Sequence, residues 1–171
     1  MRRLFVISGL LLLLAIPARA QKDYPPVELF GGFSLFNFEN GRPERFYGFD
    51  AAIAANLDKY GGVVFDFAGQ FKNVGGVTVQ VYEYLLGLQF TARGEAATAF
   101  AHTLLGGRSV NNGAEEMSFA MAIGGGLDVN VGKRFAIRVF QIDWVPSLRA
   151  GIWSKRDFRA SIGVVVKGGG S

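Results

Sequence analysis

Apolar residues recur at every second position along this chain, in short segments separated by Gly, Asn, Pro and charged clusters. One segment sets Tyr47, Phe49 and Ile53 on one parity against Asp50 and Ala52 on the other. A period of two is typical of β-strands with two different faces. The pattern predicts eight strands, at residues 27–36, 47–57, 63–71, 79–92, 99–108, 118–129, 135–145 and 158–167.

The connections between these strands alternate in length and polarity. Three are compact turns, at 58–62, 93–98 and 130–134, and three are longer and more polar, at 37–46, 109–117 and 146–157. Only 72–78 departs from this order by being short. Short turns at one end and longer loops at the other are typical of outer-membrane barrels, whose turns are periplasmic. We therefore predict an all-β, eight-stranded antiparallel up-and-down transmembrane β-barrel.

Alternation alone would also fit a soluble periplasmic barrel, with its bulky face inward and its other face in water. The composition of the second face favours the membrane. It consists mostly of Gly and Ala with single charges between them, whereas a solvated face should be rich in Thr, Lys, Glu and Gln. Small residues suit a narrow lumen, where each charge needs a partner. The bulky face would then contact lipid, with aromatic girdles near the strand ends.

The predicted lumen carries both acids and bases. In a lumen just wide enough for side chains, they could form a static polar plug or a gate whose ion pairs rearrange to open a minor pore. The candidates for lumen ion pairs are Glu28, Asp50, Asp66, Glu83, Arg93, Arg108, Asp128, Arg138, Asp143 and Arg159. Within this set we expect Arg138 to pair with Glu28 or Asp128.

The seventh strand does not keep one parity. Arg138 belongs to the inward set, but Gln141 and Asp143 have the opposite parity. A β-bulge at Val139 and Phe140 would bring all three polar residues inside. The alternative is that Phe140 and Ile142 pack inward and Asp143 faces lipid, which costs about 2 kcal/mol or more.

The N-terminus has the features of a secretory signal peptide. Arg2 and Arg3 precede an apolar run that ends at Ile16, and the small-residue pattern of Ala18 and Ala20 follows. We expect cleavage after residue 20, which leaves a barrel domain at 21–171. Removing three arginines and no acid lowers the net charge from +4 to +1, so the high pI is no sign of nucleic-acid binding.

Candidate chemistry is sparse. The chain has no cysteine and a single histidine, His102, so a zinc site would need almost only carboxylates, which is rare. Nucleophilic catalysis would need a hydroxyl beside His102, yet Leu104 shares its face and Thr103 points away. Gly124, Gly125 and Gly126 lie within a strand, without the Lys of a phosphate loop. We expect no enzyme activity, no cofactor and no bound metal.

Several segments resemble a known family. VELFGGFSLF, FAHTLLGGR, FAMAIGGGLDVNV, FAIRVFQIDWV and RASIGVVVK, in this order, are similar to the outer-membrane β-barrel domain typified by the membrane part of outer membrane protein A. The likeness covers nearly all of 27–167. It implies a mainly structural barrel of the cell outer membrane without catalytic activity. The chain departs from the family in ending VVVKGGGS, where an aromatic commonly closes the last strand.

The expected function is therefore a structural outer-membrane barrel with an ion-paired lumen. The alternatives are adhesion or ligand binding through the external loops and, third, a lipid-modifying enzyme. The expected partners are outer-membrane lipid and, during assembly, the barrel-insertion machinery. We expect a monomer that binds no nucleic acid.

Overall fold

The structure is a computed structural model that describes residues 24–39 and 43–169. The predicted signal peptide, residues 1–20, lies outside the described residues, so its cleavage remains a prediction. No helix within the described ranges is long and apolar enough to cross a membrane.

The described chain folds into antiparallel strands. Their bounds are β1 Val27–Glu39, β2 Pro43–Asn56, β3 Gly61–Val74, β4 Val77–Arg93, β5 Ala97–Asn111, β6 Glu115–Asn130, β7 Phe135–Trp144, β8 Ser147–Arg149, β9 Ile152–Ser154 and β10 Phe158–Gly168. Each of β1 to β6 pairs with the next strand, β10 pairs with both β7 and β1, and the sheet has no open edge along its main strands. The predicted eight-stranded antiparallel barrel is confirmed, formed by β1 to β7 and β10.

The two ends of the barrel differ. We call the end at which β1 begins and β10 finishes the terminal end, and the opposite end the loop end. The terminal end holds three short turns, and their residues lie close to the predicted positions. At the loop end, β5 and β6 run on to Asn111 and Glu115, so most of the predicted 109–117 loop is strand. Likewise, β1 and β2 take up most of the predicted 37–46 loop.

The last connection contains a small hairpin that the sequence pattern did not predict. β8 and β9 pair with each other, and β8 also pairs with β6 through Leu148 opposite Phe119. The turn of the hairpin consists of Ala150 and Gly151, both with positive φ, at 47° and 83°. Two consecutive positive φ angles are the signature of a type I′ turn, whose twist matches that of the flanking strands.

The outer wall of the barrel is apolar. Large hydrophobic side chains of every main strand point outward and stay exposed, such as Phe33, Leu86, Ile123 and Ile162. Phe67 stacks between Tyr82 and Tyr84 on this outer surface, which extends the apolar wall toward the loop end. An apolar surface around a closed hydrogen-bonded sheet is what a strand-built membrane protein requires.

β7 contains the predicted bulge. Asp128 of β6 pairs with Arg138 while the preceding Leu127 pairs with Phe140, so Val139 is an extra residue in the ladder. The pairing of β7 with β10 shifts at the same place. Val139 and Phe140 both face outward. Even-numbered residues of β7 face inward before them, and odd-numbered residues face inward after them. The alternative, in which Phe140 faces inward and Asp143 outward, is therefore wrong.

Candidate functional site in the barrel lumen

The lumen is the candidate functional site because the inward parity of all eight main strands brings polar side chains together there. All ten predicted lumen residues point inward, and nine of them are buried. Arg93, at the end of β4, is the partly exposed member, with 15% of its side chain accessible. The side chains form three groups along the barrel axis.

The first group lies at the terminal end. Arg93 Nη2 donates to Glu28 Oε2 at 2.8 Å, and Asn56 Nδ2 donates to the same oxygen at 3.0 Å. Arg93 also donates to the Thr91 hydroxyl. β1, β2 and β4 supply these side chains, so the group ties together strands that are not all adjacent.

The second group centres on Arg138. Its Nε and Nη2 donate to the two oxygens of Asp128 at 2.8 and 3.1 Å, and its Nη1 donates to Gln141 Oε1 at 2.6 Å. The rings of Phe30 and Phe100 lie 4.2 and 4.1 Å from the guanidinium carbon. Arg138 therefore holds a bidentate ion pair and is enclosed by two aromatic faces, which a planar guanidinium suits better than an ammonium would.

His102 joins the second group to the third. Its Nε2 donates to Asp143 Oδ1 at 2.8 Å, since a carboxylate can only accept. Gln141 Nε2 donates to Asp143 Oδ2 at 2.8 Å. Leu104 shares the inward face with His102 and is fully buried, while Thr103 is exposed on the outer wall. His102 therefore orients the Asp143 carboxylate. Its inward neighbour on β5 is the apolar Leu104, at the position where a nucleophile would have to lie.

The third group centres on Arg159, which is fully buried near the loop end. Its Nη2 donates to Asp143 Oδ2 at 2.8 Å, and its Nη1 donates to Asp66 Oδ1 at 2.8 Å and Glu83 Oε2 at 3.3 Å. Its Nε lies 3.9 Å from Asp50 Oδ2. These carboxylates belong to β7, β3, β4 and β2, so one guanidinium on β10 bridges the barrel from wall to wall.

Arg108 extends this third group to the loop end. Its Nε and Nη2 donate to Glu83 Oε1 at 3.0 and 2.8 Å, and its Nη1 donates to Asp157 Oδ2 at 2.6 Å. It also donates to the Ser147 hydroxyl and to the Val145 carbonyl. This one side chain therefore fixes the base of the β8–β9 hairpin to the barrel wall.

Asp50 is the least paired carboxylate of the third group. Ser161 Oγ donates to its Oδ2 at 2.7 Å, but its Oδ1 is buried and accepts no hydrogen bond from a described residue. A carboxylate oxygen in this position is where an ordered water would bind.

Sequence reasoning missed two parts of the lumen. Asp157 was assigned to a loop, yet it is fully buried beside Arg108. The aromatic side chains of Phe30, Phe36 and Phe100 point inward although the bulky parity was expected to face out. The sequence did contain a sign of these inward aromatic residues. Phe30 and Phe36 share a strand face with Glu28, and Phe100 shares one with His102.

Little space is left among these groups. The lumen cavity that Glu28, Asp66, His102 and Arg138 line has a volume of about 10 Å³, roughly one water molecule. Within residues 24–39 and 43–169, no cluster of three or more His, Cys, Asp or Glu has an arrangement that could hold a metal ion.

Comparisons with known proteins agree with this architecture. Neither a family model nor a curated protein sequence matches the chain. Among solved structures, it is similar to Neisserial surface protein A, with a TM-score of 0.67 and 10% identity over 83% of this chain and 97% of that one. It is also similar to Ail, the attachment invasion locus protein of Yersinia pestis, with a TM-score of 0.56 and 15% identity over 84% and 98%.

A third similar structure is the N-terminal β-barrel domain of Pseudomonas aeruginosa OprF, with a TM-score of 0.57 and 13% identity over 83% of this chain and 97% of that one. The shared property is the fold. The chain thus has the fold of the eight-stranded outer-membrane β-barrels, as the resemblance to the membrane part of outer membrane protein A implied.

Proposed function

We propose that this protein is a monomeric structural barrel of a bacterial outer membrane, exported through its signal peptide and closed to ions by its lumen side chains. The apolar outer wall would contact outer-membrane lipid, and the barrel-insertion machinery would assemble it. The loop end would face the exterior, and the terminal end the periplasm.

The arrangement around Arg159 carries this proposal. Its guanidinium bridges Asp66 and Asp143 across the lumen, and no part of the side chain is accessible. A hydrated ion needs a continuous path, and an eight-stranded barrel is just wide enough for its own side chains. The static plug is therefore favoured over the gate.

Planar-bilayer recording tests the closed lumen. The purified full-length mature protein, inserted into a bilayer, should add no conductance above that of the lipid alone. Heat-dependent mobility on a gel would show, in the same preparation, that the barrel is folded. Step-like currents from folded protein would favour the minor pore instead.

Labelling of whole cells tests the location and the orientation. Single cysteines at Asn112 or Gly151, at the loop end, should react with an impermeant thiol reagent, and one at Gly132 should not. Labelling at Gly132 alone would invert the topology. Extraction of the protein without detergent would contradict the membrane location.

A second candidate function is binding through the loop end, and a cleft there favours it. The cleft has a volume of about 510 Å³ and lies between the β5–β6 hairpin and the β8–β9 hairpin. Arg149 of β8 and Glu116 of β6 form an ion pair across it at 2.5 Å. One structure of the similar Yersinia protein is a complex with a heparin analogue, sucrose octasulfate.

An adhesion assay tests binding through the loop end against a purely structural role. Cells that express the protein should attach to immobilised heparin better than cells whose barrel has Gly-Ser residues in place of 147–154. Equal attachment would remove this second candidate and leave the structural barrel as it is.

A further inference from the structure

The outer wall has a groove close to the loop end, which we call the rim groove. It has a volume of about 340 Å³, and its floor includes parts of the inward residues Phe36 and Arg159. The outward residues that line it, besides Asn37, are Leu35, Arg45, Tyr47, Ile142, Phe158 and Ala160. These residues lie on four neighbouring strands, β2, β1, β10 and β7. All of them belong to the outward parity, so the groove opens away from the lumen.

We call the row of residues nearer the loop end the upper row and the row below it the lower row. The upper row is polar at one side and aromatic at the other. Arg45 pairs in register with Asn37, Asn37 with Phe158, and Phe158 with Trp144. Aromatic residues at this height are typical of the interface between hydrocarbon and head groups. Arg45 therefore lies at the depth where lipid head groups would be.

The lower row is apolar and recessed. Tyr47 pairs in register with Leu35, Leu35 with Ala160, and Ala160 with Ile142. Ala160 contributes only a methyl group between two larger side chains, so the wall is indented at its position. An indentation flanked by Leu and Ile side chains suits an acyl chain, which adapts to a narrow apolar surface.

The upper edge of the groove carries two cationic residues. Arg45 is exposed and takes part in none of the ion pairs among the described residues, whereas the neighbouring Glu44 is paired with Lys72 at 3.2 Å. At the other side, Trp144 Nε1 donates to the backbone carbonyl of Lys155 at 2.6 Å, which holds the backbone of this second exposed cationic residue near the row. Asp157 cannot neutralise either cation, because it is buried in the lumen with Arg108.

We propose that the rim groove binds a phosphate-bearing membrane lipid, with Arg45 and Asn37 on the phosphate and an acyl chain over Ala160. The inference rests on the proposed function, since the outer wall must face lipid. A guanidinium forms charge-assisted, often bidentate hydrogen bonds with phosphate. Free phosphate would leave the apolar row uncovered, and a lipid without phosphate would leave Arg45 unpaired. An anionic amphiphile matches both rows.

Native mass spectrometry of the folded mature protein, released from detergent, tests the proposal. The probes are dioleoyl phosphatidic acid and dioleoylglycerol, which differ only in the phosphate. We expect one phosphatidic acid molecule to be retained and dioleoylglycerol to be lost. Arg45→Gln should lower the retention of phosphatidic acid about tenfold or more, because it removes a charge-assisted hydrogen bond. Ala160→Leu should lower it as well, because the larger side chain fills the indentation.

Two matched variants are the controls. Lys133→Gln removes a cation from an exposed turn at the terminal end, and Ala101→Leu adds the same bulk to the outer wall on β5, far around the barrel. Both should retain phosphatidic acid as the original protein does. Equal retention of the two lipids, equal losses in all four variants, or full displacement by inorganic phosphate would overturn the proposal.

The same samples separate this inference from the proposed function. If the original protein keeps its heat-dependent gel mobility but retains neither lipid, the rim groove is not a lipid site and the barrel proposal stands. If the original protein has no such mobility, the membrane barrel itself is contradicted.

Discussion

At the scale of single residues, Gly124 permits the contact between His102 and Asp143. It pairs in register with His102 on β5 and with Asp143 on β7, so it lies directly between them. A Cβ atom at Gly124 would lie 2.1 Å from Asp143 Oδ1 and 2.3 Å from the Ile142 carbonyl oxygen. The missing side chain therefore lets the imidazole and the carboxylate meet across β6.

Gly124→Ala should consequently destabilise the barrel, by about 1 to 3 kcal/mol, because overpacking would displace Asp143 from its partners. The measurement is the urea dependence of unfolding of the protein refolded into lipid vesicles. Gly31→Ala is the matched control, since Gly31 faces outward and a Cβ there meets nothing within 4 Å. Equal stabilities of the two variants would show that Gly124 does not limit the His102 to Asp143 contact.

Arg138 is held by two kinds of interaction, the ion pair with Asp128 and the faces of Phe30 and Phe100. Arg138→Ala should lower the free energy of unfolding by about 3 to 5 kcal/mol, because Asp128 would remain buried without its partner. The double variant Arg138→Met, Asp128→Leu should recover much of this loss, since both charges are then gone. Urea unfolding in vesicles measures both variants.

Arg138→Lys separates the two contributions. It keeps the charge but lacks the planar guanidinium, so it should recover only part of the stability. An Arg138→Ala variant as stable as the original protein would show that the Arg138 to Asp128 pair contributes nothing to the barrel.

At the scale of strands, the sequence predicted the middle of each strand and missed what happens at the loop end. In a barrel that spans a membrane, one face of each strand contacts lipid and the other contacts the lumen, so alternation identifies strands such as 79–92. Beyond the membrane both faces meet water, and the alternation fades while the backbone ladder continues through Asn111 and Glu115. Asp157 was missed for a related reason, because it is held by Arg108 and not by the parity of a strand.

The bulge in β7 could be predicted because three polar side chains had to share one side. Val139 is the residue without a ladder partner, so its deletion should leave a regular strand with Arg138, Gln141 and Asp143 still inward. We expect the Val139 deletion to fold, with normal heat-dependent gel mobility and a modest change in stability. A bulge mainly increases the local twist, and the neighbouring strands supply the remaining pairing.

Deletion of Ile142 is the matched control in the same strand. It removes one residue beyond the bulge and turns Asp143 outward, away from Arg159 and His102, into lipid. This variant should fail to fold, because a charged lipid-facing side chain and an unpaired buried Arg159 would both be unfavourable. Failure of both deletions alike would show that the bulge itself is required.

At the scale of the whole molecule, the lumen holds more acids than bases. Among the described residues that point inward, seven carry carboxylates and four carry guanidiniums, with His102 and the partly buried Lys167 as the further basic residues. Two of the four arginines form local pairs, Arg93 with Glu28 and Arg138 with Asp128. The other two, Arg108 and Arg159, form ion pairs with the five remaining carboxylates. These are Asp50, Asp66, Glu83, Asp143 and Asp157.

This imbalance predicts the behaviour of a barrel without Arg159. Arg159→Ala removes the guanidinium that bridges the lumen. The carboxylates of Asp66 and Asp143 then have no guanidinium between them. Their repulsion and the lost side-chain volume should admit water. The variant should then show small currents in a planar bilayer, where the original protein shows none. Because carboxylates would line the new path, a KCl gradient should give a reversal potential of the sign that K⁺ selectivity produces.

Two further variants make the result decisive. Arg159→Ala combined with Asp66→Asn and Asp143→Asn should still conduct but should lose most of its preference for K⁺, because two of the lining charges are removed. Arg159→Lys should stay closed, or nearly so, since it keeps a cation at the crossing point. Heat-dependent gel mobility must first show that each variant is folded. A folded Arg159→Ala barrel that passes no current, or that prefers Cl⁻, would mean that Arg159 neither closes the lumen nor balances its acids.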